Sequence, residues 1–388
     1  MQNPKIVIAV LFITGLLISG YQCASTELTS ARLYIQQKNY ERALEVLQED
    51  VSKNPKSDEG YFLLGVVYGE MNDMNKMVES FDKSLSISGK FTKEISEYRI
   101  SYWSTYFNRG VSDYKKGTEA ENIDSAKIYF NSSIENYKTA IMLEPDSANN
   151  YRNIAYAYLT AGDLDASVDP LKKLIELEKP EDGYQYLGEI YSTLGANKMI
   201  EYQNTKNTQD SIDAINYFNL GISVLNEGKQ KFPANADISA SLTQSYIGAG
   251  RIDEALQEAK VSVAADPQNK DYKYNYGVLL LNTNEFAEAE NQFLQALEID
   301  PEFENANYNL AVTYVKWGAE INRVAEEKGV MTEEDIEKYQ KALPYLEGVV
   351  EADPENIQMW ELIGKVYTVL GMTEDAEKAF GKADALRE

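Results

Sequence analysis

The chain has 388 residues, 44% of them hydrophobic, and carries 62 acidic against 37 basic side chains, a formal charge of −25 at pH 7. So acidic a protein argues against nucleic-acid phosphates as partners, while the apolar content is too high for a disordered chain. Histidine is absent, which removes histidine acid–base catalysis, histidine triads and most zinc sites.

Met1–Lys5 is followed by an apolar run, Ile6–Ser19, shorter than the roughly 18–20 residues a spanning helix needs. The spacing predicts a cleaved signal peptide over residues 1–22. Directly after it stands the one cysteine, Cys23, so an intramolecular disulfide is impossible. An apolar run ending beside a cysteine resembles a bacterial lipoprotein signal, in which that cysteine is lipidated and becomes the new N-terminus. The family has leucine at −3 and small residues at −2 and −1, whereas here Gly20, Tyr21 and Gln22 occupy those places. Three fates stay open: lipidation at Cys23, ordinary cleavage at the small-x-small run Cys23-Ala24-Ser25, or an uncleaved anchor. If Cys23 is lipidated, the resemblance implies outer-membrane residence, because Ala24 is not aspartate.

Beyond the leader the chain repeats. Pro233, Pro267 and Pro301 are separated by 34 residues each, and the longer gaps among Pro55, Pro145, Pro233, Pro301 and Pro354 fit that period with insertions. A large residue, an apolar one, a small one and an aromatic recur as Tyr61/Leu64/Gly65/Tyr68, Tyr151/Ile154/Ala155/Tyr158, Tyr184/Leu187/Gly188/Tyr191 and Trp360/Ile363/Gly364/Tyr367. Twelve residues after the small position comes another: Ala43, Ser167, Ala255, Ala289, Ala376. Gly162, Gly250 and Gly371 fall between the two segments, as helix C-caps do.

The physics of the pattern is a helix–turn–helix. Apolar residues at i, i+3 and i+7 make one stripe on the first helix. Small residues let the second helix approach closely, and proline starts the next unit. A single unit cannot bury its stripe, so neighbours must stack. The pattern resembles the tetratricopeptide repeat, which implies an all-α, right-handed α-solenoid of about nine repeats. They are placed at 24–57, 58–91, 92–147, 148–180, 181–235, 236–269, 270–303, 304–356 and 357–388. The third, fifth and eighth are oversized by about 20 residues, which predicts helical hairpins projecting from one edge. Apolar stacking residues recur late in most repeats, but Lys229 interrupts them in the fifth. In the last, Glu377 and Asp384 replace them, which predicts a polar capping helix and a monomeric array.

The sequence offers no recognisable catalytic or cofactor machinery. Ser88-Gly89-Lys90 lacks the rest of a phosphate loop, and Glu333/Glu334/Asp335/Glu337 lacks calcium-loop spacing and suits a helix start. No nucleophile–base set can be assembled, so neither an enzyme nor a cofactor or metal site is expected.

In many tetratricopeptide arrays the first helix of each repeat lines a concave face, where asparagine two positions before the small residue bonds an extended peptide. The resemblance implies that role for Asn108, Asn153, Asn275 and Asn309, with Tyr274 and Tyr308 beside the last two. An amide supplies both donor and acceptor to a peptide backbone. The other repeats carry Thr29, Leu63, Tyr186, Ser241 and Leu362 there, so the ladder is interrupted. Arg152 alone does not make a carboxylate clamp. The expected function is a scaffold at the bacterial envelope that binds proteins or extended peptides. The alternative is an envelope lipoprotein receptor for a glycan or other small ligand, for which the 28 tyrosines would supply stacking faces.

Overall fold

The computed structural model describes residues 25–387. Among the described residues all regular structure is helical, in 18 α-helices and one short 3-10 turn, Gly89–Phe91. The helices form antiparallel pairs in two compact units, one ending at Glu178 and the other beginning at Lys179.

The first unit holds α1 (Thr26–Gln36) with α2 (Tyr40–Lys53), α3 (Asp58–Glu70) with α4 (Met74–Ile87), α5 (Thr92–Thr118) with α6 (Ile123–Leu143), and α7 (Ala148–Ala161) with α8 (Leu164–Glu178). The second holds α9 (Glu181–Thr205) with α10 (Thr208–Lys231), α11 (Ala236–Gly248) with α12 (Ile252–Ala265), and α13 (Lys270–Asn282) with α14 (Phe286–Ile299). It closes with α15 (Glu304–Lys328) paired to α16 (Glu334–Ala352), and α17 (Ile357–Val369) paired to α18 (Thr373–Ala385). Within each unit a pair packs on the next pair along the chain. This is the nearest-neighbour architecture of a repeat protein.

Local chemistry fixes the ends. Between most repeats a proline is followed two residues later by an asparagine or serine at the N-cap position. Ser57, Asn235, Asn269 and Asn356 there accept hydrogen bonds from the first backbone N–H groups of α3, α11, α13 and α17. Within pairs the turn needs one left-handed residue. Gly162, Gly250 and Gly371 supply it at φ of +83°, +72° and +74°, and Lys38, Asn72 and Asn284 adopt it in the corresponding turns at +57°, +63° and +62°. Asp50 binds two caps at once: its buried carboxylate accepts from the Ser25 and Ser57 hydroxyls, each at 2.6 Å, so the starts of α1 and α3 share one acceptor.

The helices of a pair meet where the small residue stands. A Cβ on Gly65 would lie 2.3 Å from the Phe81 ring, and on Gly277 2.7 Å from that of Phe293. Leu47 and Leu171, in the equivalent places of other pairs, are fully buried. Two prolines lie inside helices, Pro170 in α8 and Pro344 in α16. Packing of the amphipathic faces outweighs the one backbone bond each proline removes.

The oversized repeats are built by lengthening helices. The members of α5–α6, α9–α10 and α15–α16 run 27 and 21, 25 and 24, and 25 and 19 residues. In the third repeat α5 continues unbroken from Thr92, so part of the excess extends the start of that helix. Lys229 no longer reads as an interruption, because it forms an ion pair with Glu258 of α12, both side chains mostly buried. Glu377 and Asp384 are exposed on α18.

Candidate functional site

The six asparagine and tyrosine residues singled out in the sequence all lie on first helices of their pairs, and the structure treats them differently. In the first unit Asn108 of α5 is exposed and donates to Ser104 Oγ at 3.3 Å. Asn153 of α7 donates to the Asn149 carbonyl at 2.8 Å and accepts from the Tyr137 hydroxyl at 3.5 Å. In the second unit Asn309 of α15 donates both amide hydrogens within the protein, to the Asn305 carbonyl and to the Tyr274 hydroxyl, each at 3.0 Å. Tyr274 therefore couples to Asn309 in the next repeat. Its ring packs on Phe293 and Phe303, with centroids 6.0 and 5.1 Å away, and burial pushes its hydroxyl above the ordinary tyrosine value. Tyr308 packs half-buried against the apolar core of α13–α18.

Among the four asparagines Asn275 is the exception, making no side-chain hydrogen bond and facing an open groove of about 490 Å3 between α11 and α13. Ser241 and Gln244 line its α11 side, while Val278 and Asn282 extend its α13 side beyond Asn275. Asn282 lies two turns after Asn275, on the same face of α13. Gln244 and Asn282 are exposed, and like Asn275 they are not spent on internal hydrogen bonds. Ser241 donates to Glu189 Oε1 at 3.2 Å, which puts a carboxylate beside the groove. The site thus offers three amides around an apolar floor, with the Glu189 carboxylate behind Ser241 already accepting from Gln185 and Ser241. Amides of this kind can both donate to and accept from a peptide backbone. Gln244 and Asn282 fall outside the one position per repeat that the asparagine pattern marks. The i, i+7 spacing of Asn275 and Asn282 was the available signal.

A second depression, about 560 Å3 in the first unit, is lined by the 72–75 turn, Tyr106 and α6. Most of its polar groups are already partnered: Tyr106 donates to Asn72 Oδ1 at 2.9 Å, and Glu135 pairs with Lys138 at 2.7 Å, while Asn75 is left without an internal side-chain bond. None of the residues singled out in the sequence lines it. Among the described residues no helix is long and apolar enough to cross a membrane. Cys23 and the apolar run before it lie outside the described residues.

Comparison with known proteins agrees with this architecture. Tetratricopeptide-repeat family profiles match residues 58–91 and 242–311. The TPR repeat-containing protein YpiA of Bacillus subtilis (strain 168) is 22% identical over 360 residues, 92% of this chain and 71% of that protein. Among solved structures, the C-terminal part of a TPR repeat-containing protein from Cytophaga hutchinsonii is 16% identical. It covers 72% of this chain and 95% of that one, with a TM-score of 0.48. A thermophilic TPR protein of Thermus thermophilus is 19% identical over 54% of this chain and 98% of that one, with a TM-score of 0.35. The chain is a tetratricopeptide-repeat protein. The fold is one that serves in general as a scaffold for protein–protein interaction.

Proposed function

We propose that this protein is a non-enzymatic scaffold that takes an extended segment of a partner protein into the α11–α13 groove, at a bacterial envelope membrane to which lipid on Cys23 holds it. The observation that carries the binding reading is the groove itself, where the Asn275, Gln244 and Asn282 amides have no internal hydrogen bonds and stand along an apolar floor. A preformed row of unspent donors and acceptors binds a peptide with little reorganisation. Asn309 contributes through Tyr274, which it holds at the groove wall. The anchor reading rests on sequence, where the apolar run ends beside the one cysteine.

A random peptide library panned on the full chain in detergent tests the groove. Selected peptides should lose about 2- to 10-fold in affinity on Asn275→Ala, the equivalent of one hydrogen bond, with helicity and melting unchanged. Binders indifferent to both Asn275→Ala and Gln244→Ala would place binding elsewhere. The anchor has its own test. Cys23→Ser should shift the protein from the membrane to the soluble fraction and abolish labelling by fatty acid, and membrane retention without any label in the parent protein would refute lipidation.

A further inference from the structure

Among the described residues the long hairpins carry the most exposed apolar side chains. Met331 (103%), Ile123 (71%), Ile128 (68%), Ile200 (55%) and Val330 (54%) are the five most exposed large apolar residues described, and all five belong to α5–α6, α9–α10 or α15–α16. Neighbouring exposed apolar residues, such as Val330 and Met331, mark a contact surface where single ones do not. Two of the three tips carry nearly balanced charge: Lys115 and Lys116 stand with Glu119 and Glu121 on one, and Lys198 pairs with Glu201 on the other. The α15–α16 tip differs. From residue 326 to 337 it has six carboxylates and one cation, Lys328. Arg323 pairs with Glu327, Lys341 with Glu337, and Asp335 is buried, which leaves Glu326, Glu333 and Glu334 without a cationic partner.

That tip is also held in shape. Gly329, at φ +66°, ends α15, donating its N–H to the Glu326 carbonyl while Val330 donates to that of Ala325, both at 3.0 Å. This pair of backbone bonds locks the last turn. On the other side Thr332 Oγ1 accepts from the Glu334 N–H at 3.2 Å. Lower down, Lys338 lies over the Trp317 ring at 3.4 Å and clamps the two helices. Met331 therefore stands alone between two fixed caps, with Glu333 and Glu334 free of ion pairs beside it and Glu326 bonded only to Asn322.

We propose that the α15–α16 turn is a docking knob for a second protein whose surface offers an apolar pocket rimmed by lysine or arginine. Met331 and Val330 enter the pocket, and Glu326, Glu333 and Glu334 meet the rim. Methionine suits such an insertion because its unbranched thioether adapts to the pocket it meets, and burying it corresponds to roughly tenfold to hundredfold in affinity. The carboxylates select the occupant, because anionic lipid and nucleic acid are repelled while a basic rim is attracted and oriented. The inference rests on the scaffold reading above and adds a surface separate from the groove.

The test is photo-cross-linking in the source cells, with p-benzoylphenylalanine placed in the full chain at Met331 or, separately, at Val278 in the groove. From position 331 we expect one discrete protein adduct, with the cross-linked partner peptide carrying lysine or arginine beside apolar residues. Its yield should fall about tenfold or more on Glu333→Lys/Glu334→Lys and be unaffected by Asn275→Ala. Circular dichroism of the reversed variant should match the parent, since both glutamates are exposed. The proposal is overturned by no adduct at 331, by an adduct to lipid or to a second copy of this chain, or by a yield indifferent to charge reversal. Adducts from 278 without any from 331 remove the knob and leave the groove; adducts from neither remove the scaffold reading as well.

Discussion

Asn309 donates an amide hydrogen to the hydroxyl of Tyr274 at 3.0 Å, joining the first helices of two successive repeats. A side-chain bond between repeats stabilises their interface in addition to shaping the groove wall. Asn309→Ala and Tyr274→Phe should each lower unfolding stability by about 0.5–1.5 kcal/mol. Because both changes remove the same bond, the double variant should lose less than the sum. Urea unfolding of the four proteins checks this.

Glycines on helices should respond in opposite directions. Gly65→Ala forces a Cβ to 2.3 Å from the Phe81 ring, and overpacking of this kind costs about 1–3 kcal/mol. At Gly348 of α16 an added Cβ meets nothing within 4 Å, so Gly348→Ala should stabilise by about 0.5–1 kcal/mol through helix propensity. Thermal melts of the two variants should move to opposite sides of the parent.

Glu258 and Lys229 form a mostly buried pair where other repeats stack apolar side chains. Removing one partner leaves the other charge uncompensated. Glu258→Leu alone should therefore destabilise by about 3 kcal/mol, while Glu258→Leu with Lys229→Met should return near or above parental stability. Denaturant midpoints of the two variants decide it.

Several tyrosines are held protonated. Burial, then the neighbouring carboxylate, pushes Tyr40 beside Glu70 and Tyr367 beside Glu347 up to about 12, and burial does the same for Tyr98 and Tyr137. An unfolded tyrosine ionises near 10, so the folded state is the weaker acid. The stability these groups contribute is fully present below about pH 10 and is lost as pH rises toward 12. Stability followed from neutral to strongly alkaline pH should fall across that window, together with the appearance of tyrosinate absorbance. Tyr40→Phe and Tyr367→Phe should flatten the fall.

How much could be read beforehand differs between fold and site. The small residues at Gly65, Gly277 and Gly364 and the turn glycines Gly162, Gly250 and Gly371 sit in the structure where helix pairing requires them. Periodicity carries that information because every repeat solves the same packing problem. Lys38, Asn72 and Asn284 hold the same left-handed turn conformation without being glycine, so composition hid those turns. Lys229 looked like a defect until its partner, 29 residues on, was seen. The asparagine positions illustrate the limit most clearly. Asn275 and Asn309 share one phase, yet one faces the open groove and the other is spent on Tyr274, and only neighbours in space distinguish them.

Within each unit, the packing of each helix pair on the next pair along the chain has a mechanical meaning. Contacts that reach no farther than an adjacent repeat let a pull along the chain be relieved locally, by opening one repeat while its neighbours stay folded. An opened 34-residue repeat spans up to about 110–120 Å at full extension. A protein fixed at one end and loaded at the other through its partner would lengthen in discrete steps of that order, and it would shorten again as each repeat refolds on the one beside it.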